Sequence, residues 1–226
     1  TRNPTLGAYY DEQKIQATMR GEYPMIYPNV NWYEALFNKS TVNQKGNLNI
    51  QGGGKVATYF LSTTMEHETG LLKVDKRNNF NNNIDINRTN VRSNVIFKLT
   101  PTTKLDTRIT GRFQRYTGPF ESATNIYRQI MNSNPVDFPF TFLPDAANEF
   151  TEHVLFGSTL VGGATKVNPY ASMVRGYEDR NETNITVQAT LQQDLSFITE
   201  GLRLSLKASA NSWSQYSSRR EYSPYY

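Results

Sequence analysis

Apolar and polar residues alternate strictly along six separate blocks of this chain, and that period-2 pattern is the signature of strands with two unlike faces. The first block is Asn47 to Gln51, with Leu48 and Ile50 on one side. The second, Val56 to Met65, puts Ala57, Tyr59, Leu61, Thr63 and Met65 together. The third, Thr89 to Leu99, sets Val91, Val95, Phe97 and Leu99 against Arg92, Asn94 and Lys98, with Ile96 as a blemish on the polar side. In the fourth, Leu105 to Tyr116, Leu105, Ile109, Gly111 and Phe113 oppose Asp106, Arg108, Thr110, Arg112 and Gln114. The fifth, Asn184 to Gln192, opposes Ile185, Val187, Ala189 and Leu191 to amides and hydroxyls. The sixth, Leu202 to Asn211, opposes Leu202, Leu204, Leu206, Ala208 and Ala210 to Arg203, Ser205, Lys207, Ser209 and Asn211.

Connections between the blocks alternate in length. Gly52–Lys55, Pro101–Lys104 and Ser196–Gly201 are turn-like, whereas Met65 to about Asn87 is longer and Gly118 to about Arg180 is very long. Short turns at one end and long loops at the other, joined to strands with one apolar and one cationic or amide-rich face, are the pattern of an outer-membrane barrel. The expected fold is therefore all-β: an antiparallel up-and-down transmembrane β-barrel, present as a fragment of about six strands. Six such strands leave two unpaired edges, which hydrocarbon does not tolerate, so the segment is expected to need the remainder of a barrel. Outside the strands two short helices are predicted. Asn31 to Phe37 has Asn31 as cap, and Ser122 to Met131 has Ser122 as cap with Ile126, Tyr127, Ile130 and Met131 on one side. Pro135, Pro139 and Pro144 keep the following stretch irregular, and Gly162-Gly163 breaks it again.

Composition narrows the class further. The chain has 226 residues, 37% of them hydrophobic, with a mean hydropathy of −0.61. No run approaches the roughly 20 apolar residues a helical span requires, but barrel strands dilute their lipid face with lumen residues and escape that test. Aromatic residues reach 12%, with 14 Tyr and 12 Phe. There is no Cys, hence neither a disulfide framework nor thiolate chemistry. The charge of +4, from 24 basic and 20 acidic residues, is scattered rather than gathered on one face, which argues against nucleic acid as a partner. The chain opens at Thr1 without an initiator Met or a signal peptide, and is read as an internal piece.

The candidate chemistry is sparse, and the chain is not expected to be an enzyme or to carry a cofactor. His67 stands in Glu66-His67-Glu68, but neighbouring positions do not converge on one ion, and a solvated loop is the expected reading. The Asn-rich stretch from Asp75 to Asn87 lacks the alternating acidic residues and Gly of a calcium loop. Gly52-Gly53-Gly54-Lys55 lacks the spacing of a phosphate loop and reads as a hairpin turn. Nothing marks an activated nucleophile. No catalytic or metal-binding residue is assigned. Two features remain as candidates for substrate binding: the cationic polar face, with Arg92, Arg108, Arg112, Arg203 and Lys207, and the aromatic loop Phe138-Pro139-Phe140-Thr141-Phe142 with Tyr127, Tyr170 and Tyr177. Arginines suit carboxylates, and aromatic faces suit sugar rings. Equally, the aromatics can pack the loop on itself or sit in an interfacial girdle.

Tyr27-Pro-Asn-Val-Asn-Trp-Tyr33, then Asn47-Leu-Asn-Ile-Gln-Gly-Gly53 and Tyr59-Phe-Leu-Ser62, resemble the opening of the barrel in SusC/RagA-type TonB-dependent transporters of Bacteroidetes. Arg88 to Val95 is similar to their next strand. Asn168-Pro-Tyr-Ala171 with Gly176-Tyr177, and Asp194 to Leu202, resemble further motifs in the same order. The resemblance implies a 22-stranded barrel in the bacterial outer membrane with an N-terminal plug, energised by TonB through a missing N-terminal part. It also implies a SusD-like surface lipoprotein as partner, outer-membrane lipid around the barrel, and active import of oligosaccharides or peptides. On this plan residues 1–46 are an extracellular loop, 47–117 four strands, 118–180 a long extracellular loop, 181–213 two further strands and 214–226 the start of the next loop. The alternatives are a passive porin or adhesin-like barrel without TonB coupling, and a soluble β-sandwich binding module.

Overall fold

The computed structural model describes residues 10–146, 149–150, 153–161 and 163–226. In chain order the elements are α1 (Glu12–Arg20), α2 (Trp32–Leu36), β1 (Gln44–Gly53), β2 (Ala57–Thr69), β3 (Asp85–Lys98), β4 (Thr103–Pro119), α3 (Ala123–Asn132), the two-residue strands β5 to β8 (Thr141–Phe142, Leu155–Phe156, Leu160–Val161, Ala164–Thr165), α4 (Pro169–Val174), β9 (Gly176–Asp194) and β10 (Arg203–Glu221). The protein is predominantly antiparallel β. Its main sheet has six strands in the order β1-β2-β3-β4-β9-β10, the up-and-down meander expected. Among the described residues no strand pairs with the outer edge of β1 or of β10.

Register explains why the alternation reads so clearly. Leu105 lies opposite both Phe97 and Leu191, Leu191 opposite Leu206, and Ile109 opposite Val187. Ile50 pairs with Leu61 and Tyr59 with Val95. Because opposed residues share a face, the apolar sides of all six blocks fuse into one surface. Arg112 opposite Asn184, Arg108 opposite Gln188 and Lys207 opposite Thr190 lie on the other. Among the described residues neither surface carries a covering layer of helices, and Leu48, Met65, Ile109 and Leu206 stand exposed.

The strands overrun the expected blocks. β10 continues to Glu221 rather than ending in a loop from 214, and β9 starts at Gly176 rather than near 181; β4 likewise reaches Pro119. These extensions pair with one another: Ser214 with Thr183, Tyr216 with Asn181, Ser218 with Asp179, Thr117 with Asp179. They are polar on both sides, so they carry no period-2 signal. Gly176 sits where β9 meets the end of β10, and a Cβ there would collide with the Arg220 carbonyl, so only glycine permits that approach.

Every long segment leaves the sheet at the same end. The described residues of 10–43, 70–84, 120–175 and 222–226 gather there, while the 54–56, 99–102 and 195–202 turns lie at the opposite end. The gathered segments form a cap with its own core. Trp32, Leu36, Leu72, Ile126, Ile130, Phe138, Phe156, Tyr170, Ala171, Met173 and Val174 make one buried cluster. Both predicted helices are present, with Asn31 accepting from the Glu34 amide and Ser122 from the Asn125 amide. Two more helices accompany them: α1, capped by Asp11 and closed by Gly21 at φ 68°, and α4, capped by Asn168 with Pro169 in its first turn. The Gly162 half of the expected Gly162-Gly163 break lies outside the described residues.

Candidate functional site

The polar surface of the sheet is zoned. Toward the cap it carries ion pairs: Lys45 Nζ to Glu66 (2.8 Å), Arg88 to Glu66 (2.9 Å) and Glu68 (3.4 Å), Arg180 to Glu182 (2.9 Å), and Arg219 to Glu178 (3.1 Å). Toward the short turns Arg108 pairs with its own-strand neighbour Asp106 at 2.8 Å. Two successive cross-strand rows between these zones contain no carboxylate. One runs Asn49, Ser62, Arg92, Thr110, Thr186, Asn211; the next runs Asn47, Thr64, Asn90, Arg112, Asn184, Trp213. There the surface dips into a concavity of about 480 Å³ lined by Phe60, Ser62, Thr64, Asn90, Arg92, Thr110, Arg112, Asn184 and Thr186.

The structure thus brings two of the expected site residues together. Arg92 lies opposite Thr110 and Arg112 opposite Asn90, which makes the two residues diagonal neighbours across β3 and β4, a separation of roughly 7–8 Å between backbones. Arg112 donates to the Gln114 side-chain oxygen at 3.0 Å. Lys207 shares this surface but lies on β10, outside the concavity, and Arg203 sits at its turn end near Asp194 (3.9 Å). Asn90, Asn184, Ser62, Thr64 and Phe60 also line it and were not singled out from sequence. Their signal was available: each is an even number of residues from an Arg or another polar position of its own strand, but only the cross-strand register groups them.

The aromatic loop is placed elsewhere and divides. Phe138 is fully buried in the cap, its ring 5.4 Å from that of Trp32; Phe140 is half-buried, 4.8 Å from Trp32 and 5.6 Å from Tyr170; Phe142 is on the surface. Tyr170 is a buried member of the same cluster, and its hydroxyl donates to Asp75 with Arg77 stacked over its ring. Tyr127 is half exposed and Tyr177 packs on Phe80. The reading in which the loop packs on itself is the one seen for Phe138, Phe140 and Tyr170.

His67 is not in a loop. It lies in β2 with its Nε2 3.0 Å from Asp85 across the strand pair, on the face opposite Glu66 and Glu68 because successive strand residues alternate. Among the described residues no three His, Asp or Glu side chains converge as a metal site would require. The Asn-rich stretch has a structural use. Asn82 accepts from the Asp75 amide and donates to the Lys73 carbonyl; Asn83 accepts from the Leu72 amide and donates to the Gly70 carbonyl. Their side chains stand in for a missing strand partner under buried Leu72, satisfying backbone groups that burial would otherwise leave unpaired.

No protein-family model matches the chain, and no curated protein matches it either. Its function is therefore argued from the geometry and from the ordered resemblance in its sequence.

Proposed function

We propose that this chain is wall and mouth of an outer-membrane β-barrel that imports oligosaccharides or peptides, energised by TonB and working with a SusD-like lipoprotein. Transport, rather than catalysis, is the activity. The observation that carries the reading is the division of one six-stranded meander into a continuous apolar surface and a continuous polar one, with neither covered. A soluble sheet would bury its apolar side under a second layer; here the natural cover is lipid. From Leu105 to Phe113 the apolar zone runs about 27 Å along the strand, or roughly 20 Å in height once strands tilt as barrel strands do, close to the ~25 Å apolar band of such barrels. Beyond it, on the same face, come Arg115, Asn87 and Asn181, as expected where strands rise out of the membrane. The polar surface then faces the lumen, and the cap at the long-loop end forms the extracellular mouth. TonB coupling and the lipoprotein rest on the resemblance of the Tyr27–Tyr33, Asn47–Gly53 and Asp194–Leu202 segments to SusC/RagA-type transporters.

The test is a cysteine scan of Ile109, Thr110, Gly111 and Arg112 in the protein in its native membrane. Ile109→Cys should be reached by a lipid-soluble maleimide and refused to a charged one, and Thr110→Cys the reverse. Equal labelling of both by the charged reagent would sink the barrel reading. Deleting the TonB gene should abolish uptake; uptake unchanged in its absence favours a passive porin.

A further inference from the structure

We infer that the concavity around Arg92 and Arg112 is a binding subsite for an acidic oligosaccharide, its carboxylates seated between the two guanidiniums; this rests on the proposed orientation of the polar surface toward the lumen. The first observation is charge left unmatched among the described residues. Every carboxylate of the strands on this surface is engaged: Glu66 and Glu68 by Arg88, Asp106 by Arg108, Glu178 by Arg219, Glu182 by Arg180, Asp194 by Arg203 and Glu221 by Arg175. Arg92 has no hydrogen-bond or ion-pair partner among the described residues, and Arg112 has only the neutral Gln114 amide. Both residues line the same hollow, and among the described residues neither is paired with a carboxylate.

The second observation is what surrounds the pair. Asn90 and Asn184 flank Arg112 from the two neighbouring strands, and Ser62 and Thr110 flank Arg92. These groups both donate and accept, which suits the hydroxyls of a sugar more than the spaced, mostly apolar side chains of a peptide. Phe60, half-buried at the rim of the hollow, offers a ring face on which a pyranose can lie. Fork-shaped guanidinium donors bind carboxylate in two parallel hydrogen bonds and fix its orientation, so the pair selects ligands carrying acid groups along a chain. The volume, about 480 Å³, holds a short stretch of saccharide and leaves the remainder to run along the amide rows.

The experiment uses the protein purified from membranes in detergent, with arginines modified by phenylglyoxal and read residue by residue by mass spectrometry. Oligogalacturonate should protect Arg92 and Arg112 but leave Arg115, on the opposite surface, as reactive as before; maltohexaose of similar length should protect neither. In direct titration the acidic ligand should bind roughly tenfold or more tightly than the neutral one, and Arg92→Gln with Arg112→Gln should erase the difference while Arg92→Lys retains part of it. The labelling arm needs no variant, so a double substitution that fails to assemble leaves the inference testable. Equal protection by maltohexaose, or arginines already unreactive without ligand because another part of the protein covers them, would overturn it. Stronger protection by a hexaglutamate peptide would overturn the saccharide assignment. Failure of the transport reading looks different: protection would persist while uptake proved independent of TonB.

Discussion

The sheet and the cap use the same residue types to opposite ends. In the cap Leu36, Ile126 and Phe138 are buried by helices and loops drawn from three stretches of the chain. In the sheet Leu48, Ile109 and Leu206 are as apolar and remain exposed. The cap buries an apolar cluster of its own and the sheet does not, so the stability of one is a matter of packing and that of the other of solvent. An extended sheet can be regular without a core because its backbone groups pair along every strand; irregular loops cannot, and need side chains to hold them. Asn82, Asn83 and Asn168 show the cost, each spending its amide on loop backbone.

The comparison breaks hardest at the cap core. Trp32→Ala or Phe138→Ala should destabilise the cap by about 3–5 kcal/mol, the usual penalty for emptying an aromatic site. Limited proteolysis should then cut within 120–175 while the sheet keeps its resistance to heat in detergent. Loss of both together would mean that cap and sheet fold as one unit.

Next come neighbouring positions on opposite faces. Ile109→Arg should cost about 2–4 kcal/mol if the residue lies near the membrane midplane, whereas Thr110→Arg, facing the polar surface, should cost far less. A urea titration in lipid vesicles measures both. Equal penalties would remove the distinction between the two surfaces.

A smaller effect is expected at Asn168, which is fully buried. Its amide donates to the Phe140 and Gly157 carbonyls, and its oxygen accepts from the Tyr170 amide. Asn168→Ala loses a helix cap and leaves the Gly157 carbonyl unpaired, while the Phe140 carbonyl keeps the Gly157 amide as donor, an expected cost of about 2 kcal/mol. Opening of α4, seen by hydrogen exchange at Tyr170 and Ala171, checks it. Gly157 lies in the same crossing, pressed so close to the Pro139 carbonyl that a Cβ has no room.

What was legible in the sequence follows the same divide. Strand centres announced themselves because a sheet with two unlike environments must alternate, and Leu105 to Gln114 does so at almost every position. The strand ends were silent: from Ser214 to Arg220 only Tyr216 interrupts a polar run, so nothing repeats. The caps Asn31 and Ser122 were visible as local chemistry. α4 is too short for a periodic stripe, though Asn168-Pro169 is a legible start signal, and α1 buries only Ala17. The cap core could not be read, since Trp32, Leu72, Phe138 and Tyr170 meet across more than a hundred residues and no local pattern encodes that. Of the candidate site, Arg92 and Arg112 were named for their charge; their neighbours Asn90 and Asn184 needed the register.

The mildest prediction draws the border of the cap core. Phe138, Phe140 and Phe142 alternate along one stretch, and their burial falls in that order, from 2% exposed at Phe138 to 39% at Phe142. Phe138 touches Trp32 from within; Phe140 bridges Trp32 and Tyr170 with one side open; Phe142 is held chiefly through its backbone, in the two-residue pairing with Leu155. A Ser replacement keeps that backbone pairing and removes only the ring. The losses should therefore grade from several kcal/mol at Phe138 through about 1–2 at Phe140 to within about 0.5 kcal/mol at Phe142, as for other surface positions. Cap unfolding followed by Trp32 fluorescence can rank all three. A Phe142→Ser protein as damaged as Phe138→Ser would show that the core extends to a surface it does not reach here, and that something outside this chain completes it.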